Sequence, residues 1–218
     1  QETIQILGKH TNKNHNLGQV KYLLKAAYGL NENGLDPNGS VAIASRQDNL
    51  ISTATILSLQ GIGWSKSIDL ANEVFLTVDN INIKNSIENN IRPLLSGVHN
   101  MLNKLINSKV KCAIISNDTR EGISSFLKLN HLETKFLNYW SCEDKPSKPS
   151  PSAVIELCKI IKLQPHECIL IGDSDSDLKM AQEAGIGLAM GYVSGWSSKP
   201  MLTYQNKLIS NWEELSCH

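Results

Sequence analysis

The sequence has no excess of charge of either sign: Lys plus Arg is 21, Asp plus Glu is 21, and the formal charge is zero. Such a chain has no field to draw in nucleic acid or an anionic membrane, which argues against both as partners. No apolar run approaches the length of a membrane span, and no signal-peptide pattern is present. Five cysteines (Cys112, Cys142, Cys158, Cys168 and Cys217) form no CxxC pair. Cys112 and Cys168 sit inside apolar runs and read as buried thiols, and an odd count without spacing predicts a reducing, cytoplasmic setting. No internal repeat or low-complexity tract is visible. Residues 1–90 also lack a convincing strand. The chain opens on Gln1 rather than Met, so residues missing upstream are expected.

What is present is an ordinary globular composition, 41% hydrophobic and 19% charged over 218 residues. That length suits one large domain or two small ones. The character of the sequence changes near residue 90. Before it, Ile4, Ile6 and Leu7 begin an apolar pattern, and Val20, Leu23, Leu24 and Ala27 keep helical spacing up to Gly29. Asn31–Ser40 is a connection rich in Asn, Gly, Asp and Pro, and Val41–Ala44 fits either a strand or a helical start. Asn49–Gln60, stopped by Gly61, and Ile68–Val78 predict two more helices, hence a helical domain over residues 1–90. Beyond it, strands at Lys111–Ile115, Phe136–Tyr139, Ile169–Gly172, Gly187–Tyr192 and Lys207–Ile209 alternate with helical patterns. Alternation of that kind predicts an α/β domain over residues 91–218, with a parallel sheet covered on both faces.

The stretch around which the rest is organised is Ile169-Leu170-Ile171-Gly172-Asp173-Ser174-Asp175-Ser176-Asp177-Leu178. An apolar strand runs into Gly172, a helix follows, and three carboxylates lie between them at the carboxyl end of the strand, where open α/β sheets bind ligands. One acid at a helix N-terminus is ordinary capping. Asp173, Asp175 and Asp177 together repel one another unless a cation sits among them, and hard oxygen ligands suggest Mg²⁺. Two further polar groups precede this loop. Ser116-Asn117 follows the run Cys112–Ile115, where a hydroxyl, an amide and fresh helix N–H groups suit phosphoryl oxygens; a plain helix cap is the bland alternative. Lys148-Pro149-Ser150-Pro151 holds a lysine on a stiff loop, with Lys145 as a competitor and a solvated surface lysine as the ordinary case.

In this order the motifs resemble the haloacid dehalogenase-like (HAD) superfamily of phosphohydrolases. Ser116-Asn117 is similar to its second motif, Lys148-Pro149-Ser150-Pro151 to the K-P-x-P form of its third, and Gly172–Asp177 to its fourth, G-D-x-x-x-D. The resemblance implies a Rossmann-like parallel-sheet core with a helical cap domain and a Mg²⁺-dependent phosphatase of the phosphoglycolate phosphatase type. It implies a small phosphorylated metabolite as substrate. Ser116 and Lys148 take the catalytic roles, and Asn117 orients the phosphoryl oxygens. Asp173 becomes the direct metal ligand, Asp177 a support of the metal shell, and Asp175 a position outside the motif.

One departure concerns the nucleophile motif D-x-D-x-[TV], on the strand that is central to the family's sheet. Residues 1–90 contain Asp36, Asp48, Asp69 and Asp79, none in that pattern. The attacking aspartate of an aspartyl-phosphate mechanism is therefore expected upstream of Gln1, and the 218 residues alone are expected to be inactive. A phosphosugar mutase and a catalytically dead phosphate-binding domain are the alternatives. Within residues 1–90, Arg46 in Ser45-Arg46-Gln47 suits a substrate carboxylate or second phosphate, against the ordinary reading of a solvated helix-start arginine. Nothing in the sequence bears on oligomeric state.

Overall fold

The computed structural model describes residues 16–32, 34–89, 94–196 and 198–215, and for 82–89 the backbone alone. The chain divides into two compact units, Gln1–Ile91 and Arg92–His218. The apolar pattern at Ile4–Leu7 lies outside the described residues.

In the first unit, α1 (Leu17–Tyr28) begins where the Asn16 side chain accepts the Gln19 N–H, and it ends at Gly29 in the left-handed region. A Cβ on Gly29 would stand 2.6 Å from Gly39 Cα, so the two glycines let the chain fold tightly back on itself. Between them β1 (Leu30–Asn31) and β2 (Gly34–Leu35) pair antiparallel. The expectation of no strand here is corrected by that two-residue hairpin, too short to leave any alternation in sequence. The ambiguous stretch at Val41 becomes one helical turn, α2 (Ser40–Ile43). α3 (Arg46–Leu59) opens on a capping box between Ser45 and Asp48, and α4 is Trp64–Asn89. Val20 and Leu24 of α1 pack on Ile56, Leu57, Ile62 and Leu70, while Ala54 and Ala71 bring α3 and α4 close.

The second unit runs α5 (Val98–Asn107), β3 (Ala113–Ile115), α6 (Arg120–Leu129), β4 (Asn138–Trp140), α7 (Pro151–Ile161), β5 (Ile169–Gly172), α8 (Asp175–Glu183), β6 (Leu188–Tyr192) and β7 (Lys207–Ile209). Every strand pairing in it is parallel, through the helical crossovers α6 (β3 to β4) and α8 (β5 to β6) and a loop between β6 and β7. The strands form a β3–β4 pair and a β5–β6–β7 sheet rather than one continuous sheet. Among the described residues β3 and β5 each have a single hydrogen-bonded neighbour, and they do not pair with each other. A helical layer joins the two sheets: Val154 and Cys158 of α7 pack on Met180 and Ala184 of α8, with Ile115 of β3 and Leu170 of β5 against them. β3 and β5 are correspondingly only half-buried, with Ile169 57% exposed, whereas Ala189–Tyr192 of β6 are buried. No helix among the described residues is long and apolar enough to cross a membrane.

Candidate active site

The carboxyl end of β5 delivers Asp173, and Ser174 then caps α8 by accepting the Asp177 N–H at 3.2 Å. The cap turns Asp177 back over the strand. A Cβ on residue 172 would lie 2.7 Å from Asp177 Cβ, so only glycine leaves room for that carboxylate. Asp175, at the first position of α8, points elsewhere. Its oxygens accept from Thr203 N–H and Thr203 Oγ, both at 2.6 Å, and from Tyr204 N–H at 3.3 Å. Burial pushes its pKa up, but these donors outweigh it and hold the group below the ordinary aspartate value. The expected crowding of three carboxylates is thereby corrected: Asp175 has satisfied donors of its own and ties down the 203–204 segment.

Asp173 and Asp177 remain together. Burial first, and the Asp177 charge second, raise the Asp173 pKa above its ordinary value, opposed by a hydrogen bond from the Trp196 side chain and by Lys148. Lys148 reaches in from the loop after β4 and places Nζ 2.7 Å from Asp177 Oδ1, with the two side chains only 11% and 16% exposed. The loop is stiffened at several points. Trp140 Nε1 donates to Pro146 O at 2.9 Å, and Ser141 donates to Asp144 Oδ2 through N–H and Oγ at 2.8 and 2.7 Å. Arg120 closes on the other oxygen of Asp144. The Ser141 N–H is the main reason the Asp144 pKa lies below its ordinary value. Lys145, the competitor, is exposed.

At the end of β3, Ser116 Oγ accepts the Asp118 N–H at 3.1 Å. The cap of α6 is Thr119, whose Oγ1 accepts from Gly122 N–H at 3.0 Å, so neither Ser116 nor Asn117 is needed for capping. Asn117 Oδ1 is buried with no hydrogen-bond partner among the described residues, an arrangement that costs stability unless something donates to it. Ser116 and Asn117 form no hydrogen bond with Lys148, Asp173 or Asp177 among the described residues. Asp173 also lines a cavity of about 170 Å³ with Leu95, Tyr192, Ser194, Gly195 and Trp196. Its wall is braced by Tyr192 stacked on Trp212, with centroids 4.5 Å apart. Arg46, in the other unit, forms an ion pair with Asp79 and lies 5.2 Å from the centre of the Phe75 ring.

The donor set at the β5 end fits a hard divalent cation in its chemistry: two adjacent carboxylates, one of them held in a surrounding that disfavours its negative charge. No third His, Cys, Asp or Glu joins them among the described residues. Sequence reasoning missed Trp140, Asp144 and Trp196. The Ser141-x-x-Asp144 spacing, the pattern of a capping box, was the available signal for the loop brace; Trp196 carried none.

The sequence profile of haloacid dehalogenase-like hydrolases matches residues 51–190, more than half of the chain. A phosphoglycolate phosphatase of Mannheimia succiniciproducens is 28% identical over 107 residues, covering 47% of this chain and 48% of that protein. A phosphoglycolate phosphatase of Aquifex aeolicus is 30% identical over 97 residues, covering 43% and 46%. The chain thus spans about half the length of the curated relatives it matches. A crystal structure of a predicted phosphoglycolate phosphatase from Haemophilus somnus superposes with a TM-score of 0.69 over 98% of this chain and 86% of that one, at 15% identity, a likeness of fold. With the fold, the parallel strands and the profile match in agreement, the chain belongs to the haloacid dehalogenase-like hydrolase family and has its Rossmann-like α/β architecture.

Proposed function

We propose that this protein takes part in Mg²⁺-dependent hydrolysis of a small phosphate monoester, of the phosphoglycolate phosphatase type. The observation that carries the reading is the 2.7 Å contact of Lys148 with Asp177, which brings the K-P-x-P loop to the strand end that holds Asp173. Residues 1–90 take the part of the cap domain and 91–218 that of the core. Asp173 is the metal ligand and Asp177 supports the metal's waters. Mg²⁺ bound there supplies charge neutralisation for the phosphoryl oxygens. Lys148, already held by Asp177, adds a second positive charge to the same oxygens. Ser116 Oγ and the Asn117 amide orient them. The attacking carboxylate, which becomes the aspartyl-phosphate, is assigned to an aspartate upstream of Gln1. Arg46 is the candidate for a second anionic group of the substrate, and it would exchange Asp79 for that group.

Phosphate release from a panel of small monoesters, with and without Mg²⁺, tests the reading on two proteins: the 218 residues alone, and the chain extended by its natural upstream sequence. Metal-dependent turnover is expected only from the extended chain. Turnover by the 218 residues alone would move the nucleophile into this sequence, and no turnover from either would favour a phosphate-binding domain without catalysis.

A further inference from the structure

The Cys158 and Cys168 sulfurs lie 3.8 Å apart, although ten residues separate them in sequence. Cys158 is buried inside α7 at 4% exposure, packed with Val154, Met180 and Ala184. Cys168 is half-buried. It follows the 3₁₀ turn Pro165–Glu167, immediately precedes β5, and its Sγ is 3.4 Å from the Gln164 carbonyl oxygen. The two thiols therefore face each other across the connection that leads from α7 to the strand carrying Asp173. No part of the proposed chemistry uses either of them.

We propose that Cys158 and Cys168 are a reversible oxidation site, forming an intrachain disulfide by exchange with a low-molecular-weight disulfide such as oxidised glutathione. A disulfide needs sulfurs about 2.0 Å apart, so side-chain rotation must close roughly 1.8 Å from the present contact. Exchange begins at the accessible thiol. The Cys168 thiolate attacks one sulfur of the reagent, forming a mixed disulfide and releasing one reduced thiol. Cys158 then attacks the Cys168 sulfur, forming the intrachain bond and releasing the second. The two protein thiols lose two electrons and two protons, and the reagent gains both pairs as two free thiols. Burial, and then the neighbouring Cys168, push the Cys158 pKa up to about 12, which leaves the more accessible Cys168 to lead. The bond would staple α7, which follows the Lys148 loop, to the start of β5, which ends at Asp173.

The test uses the 218-residue chain incubated with oxidised glutathione and assayed under denaturing, non-reducing conditions. Accessible thiols should fall from five to three, with an intact mass lower by two hydrogens and a peptide joining Cys158 to Cys168. Dithiothreitol should restore all five. Cys158→Ala, which leaves no buried hydroxyl, should stop at a glutathione adduct on Cys168, and Cys168→Ser should leave Cys158 unmodified. Retention of five thiols, a link to Cys112, Cys142 or Cys217, or a stable glutathione adduct on Cys168 in the unsubstituted chain would each overturn the proposal. The disulfide form should also melt at a higher temperature than the reduced form; an unchanged midpoint would rule out the staple.

Discussion

Each unit of the molecule holds an ion pair between a basic residue and an aspartate, and the two differ in their surroundings. Arg46 and Asp79 link α3 to α4 with side chains 38% and 45% exposed, in water that screens them. Lys148 and Asp177 link the loop after β4 to the first turn of α8 with side chains that are nearly buried. An exposed pair adds little because both charges are content in water. In a nearly buried pair each charge depends on the other, since little water reaches either. The same contact is thus a minor brace in the helical unit and a structural necessity in the α/β unit. It also fixes in advance where a positive charge stands relative to Asp173.

Removing one partner from each pair should expose the contrast. Lys148→Ala leaves Asp177 buried without its cation and should cost about 3 kcal/mol in denaturant unfolding; in an extended, active chain it should also lower turnover by orders of magnitude. Lys145→Ala should do neither. A double-mutant cycle of Lys148→Ala with Asp177→Asn should give a coupling well above that of Arg46→Ala with Asp79→Asn, and equal couplings would refute the comparison.

Asp175→Ala should come next, at about 2 kcal/mol, because Thr203 and Tyr204 lose a charged acceptor. Its Mg²⁺ affinity, read by calorimetry, should stay close to that of the parent chain. Loss of Mg²⁺ binding would return Asp175 to the metal site.

Asp173→Asn should act in the opposite direction on stability. Burial and Asp177 raise the folded-state pKa of Asp173 above its unfolded value, so the folded chain holds that proton more tightly. Its charged form therefore destabilises the fold at neutral pH, and this penalty fades as pH falls through the raised pKa. Asp144 and Asp175, with lowered values, lose their contribution only at lower pH. Without metal, Asp173→Asn should melt slightly higher than the parent at neutral pH, and the difference should vanish on acidification. Its Mg²⁺ affinity should fall by more than about tenfold. Equal affinity would remove Asp173 from the metal site. The smallest effect belongs to Arg46→Ala, at under about 1 kcal/mol including its contact with Phe75.

Much of this was legible in the sequence because strong local signals agreed with tertiary packing. The Gly172–Asp177 loop, the helix ending at Gly29 and the parallel strands each follow from spacing, a cap or an apolar run. What was not legible depended on orientation. Asp173, Asp175 and Asp177 are alike in sequence, yet Asp175 answers to Thr203, 28 residues away, and no local pattern announces that. Trp196 contacts Asp173 from a loop of small polar residues, and the Asp144 brace needs Arg120 from the start of α6. The hairpin at Leu30 was hidden for the opposite reason, being too short to impose a period.

The uneven pairing of the strands carries a consequence for how the unit breathes. β6 is hydrogen-bonded on both sides, to β5 and β7, and most of it is buried. β3 and β5 each have one partner among the described residues, and Ser116 and Asp173 stand at their ends. In amide hydrogen exchange, β6 should report the deepest opening of the unit, while β3 and β5 should exchange through smaller, more frequent fluctuations. The strands that carry the proposed chemistry would then open to solvent more often than β6, the strand paired on both sides.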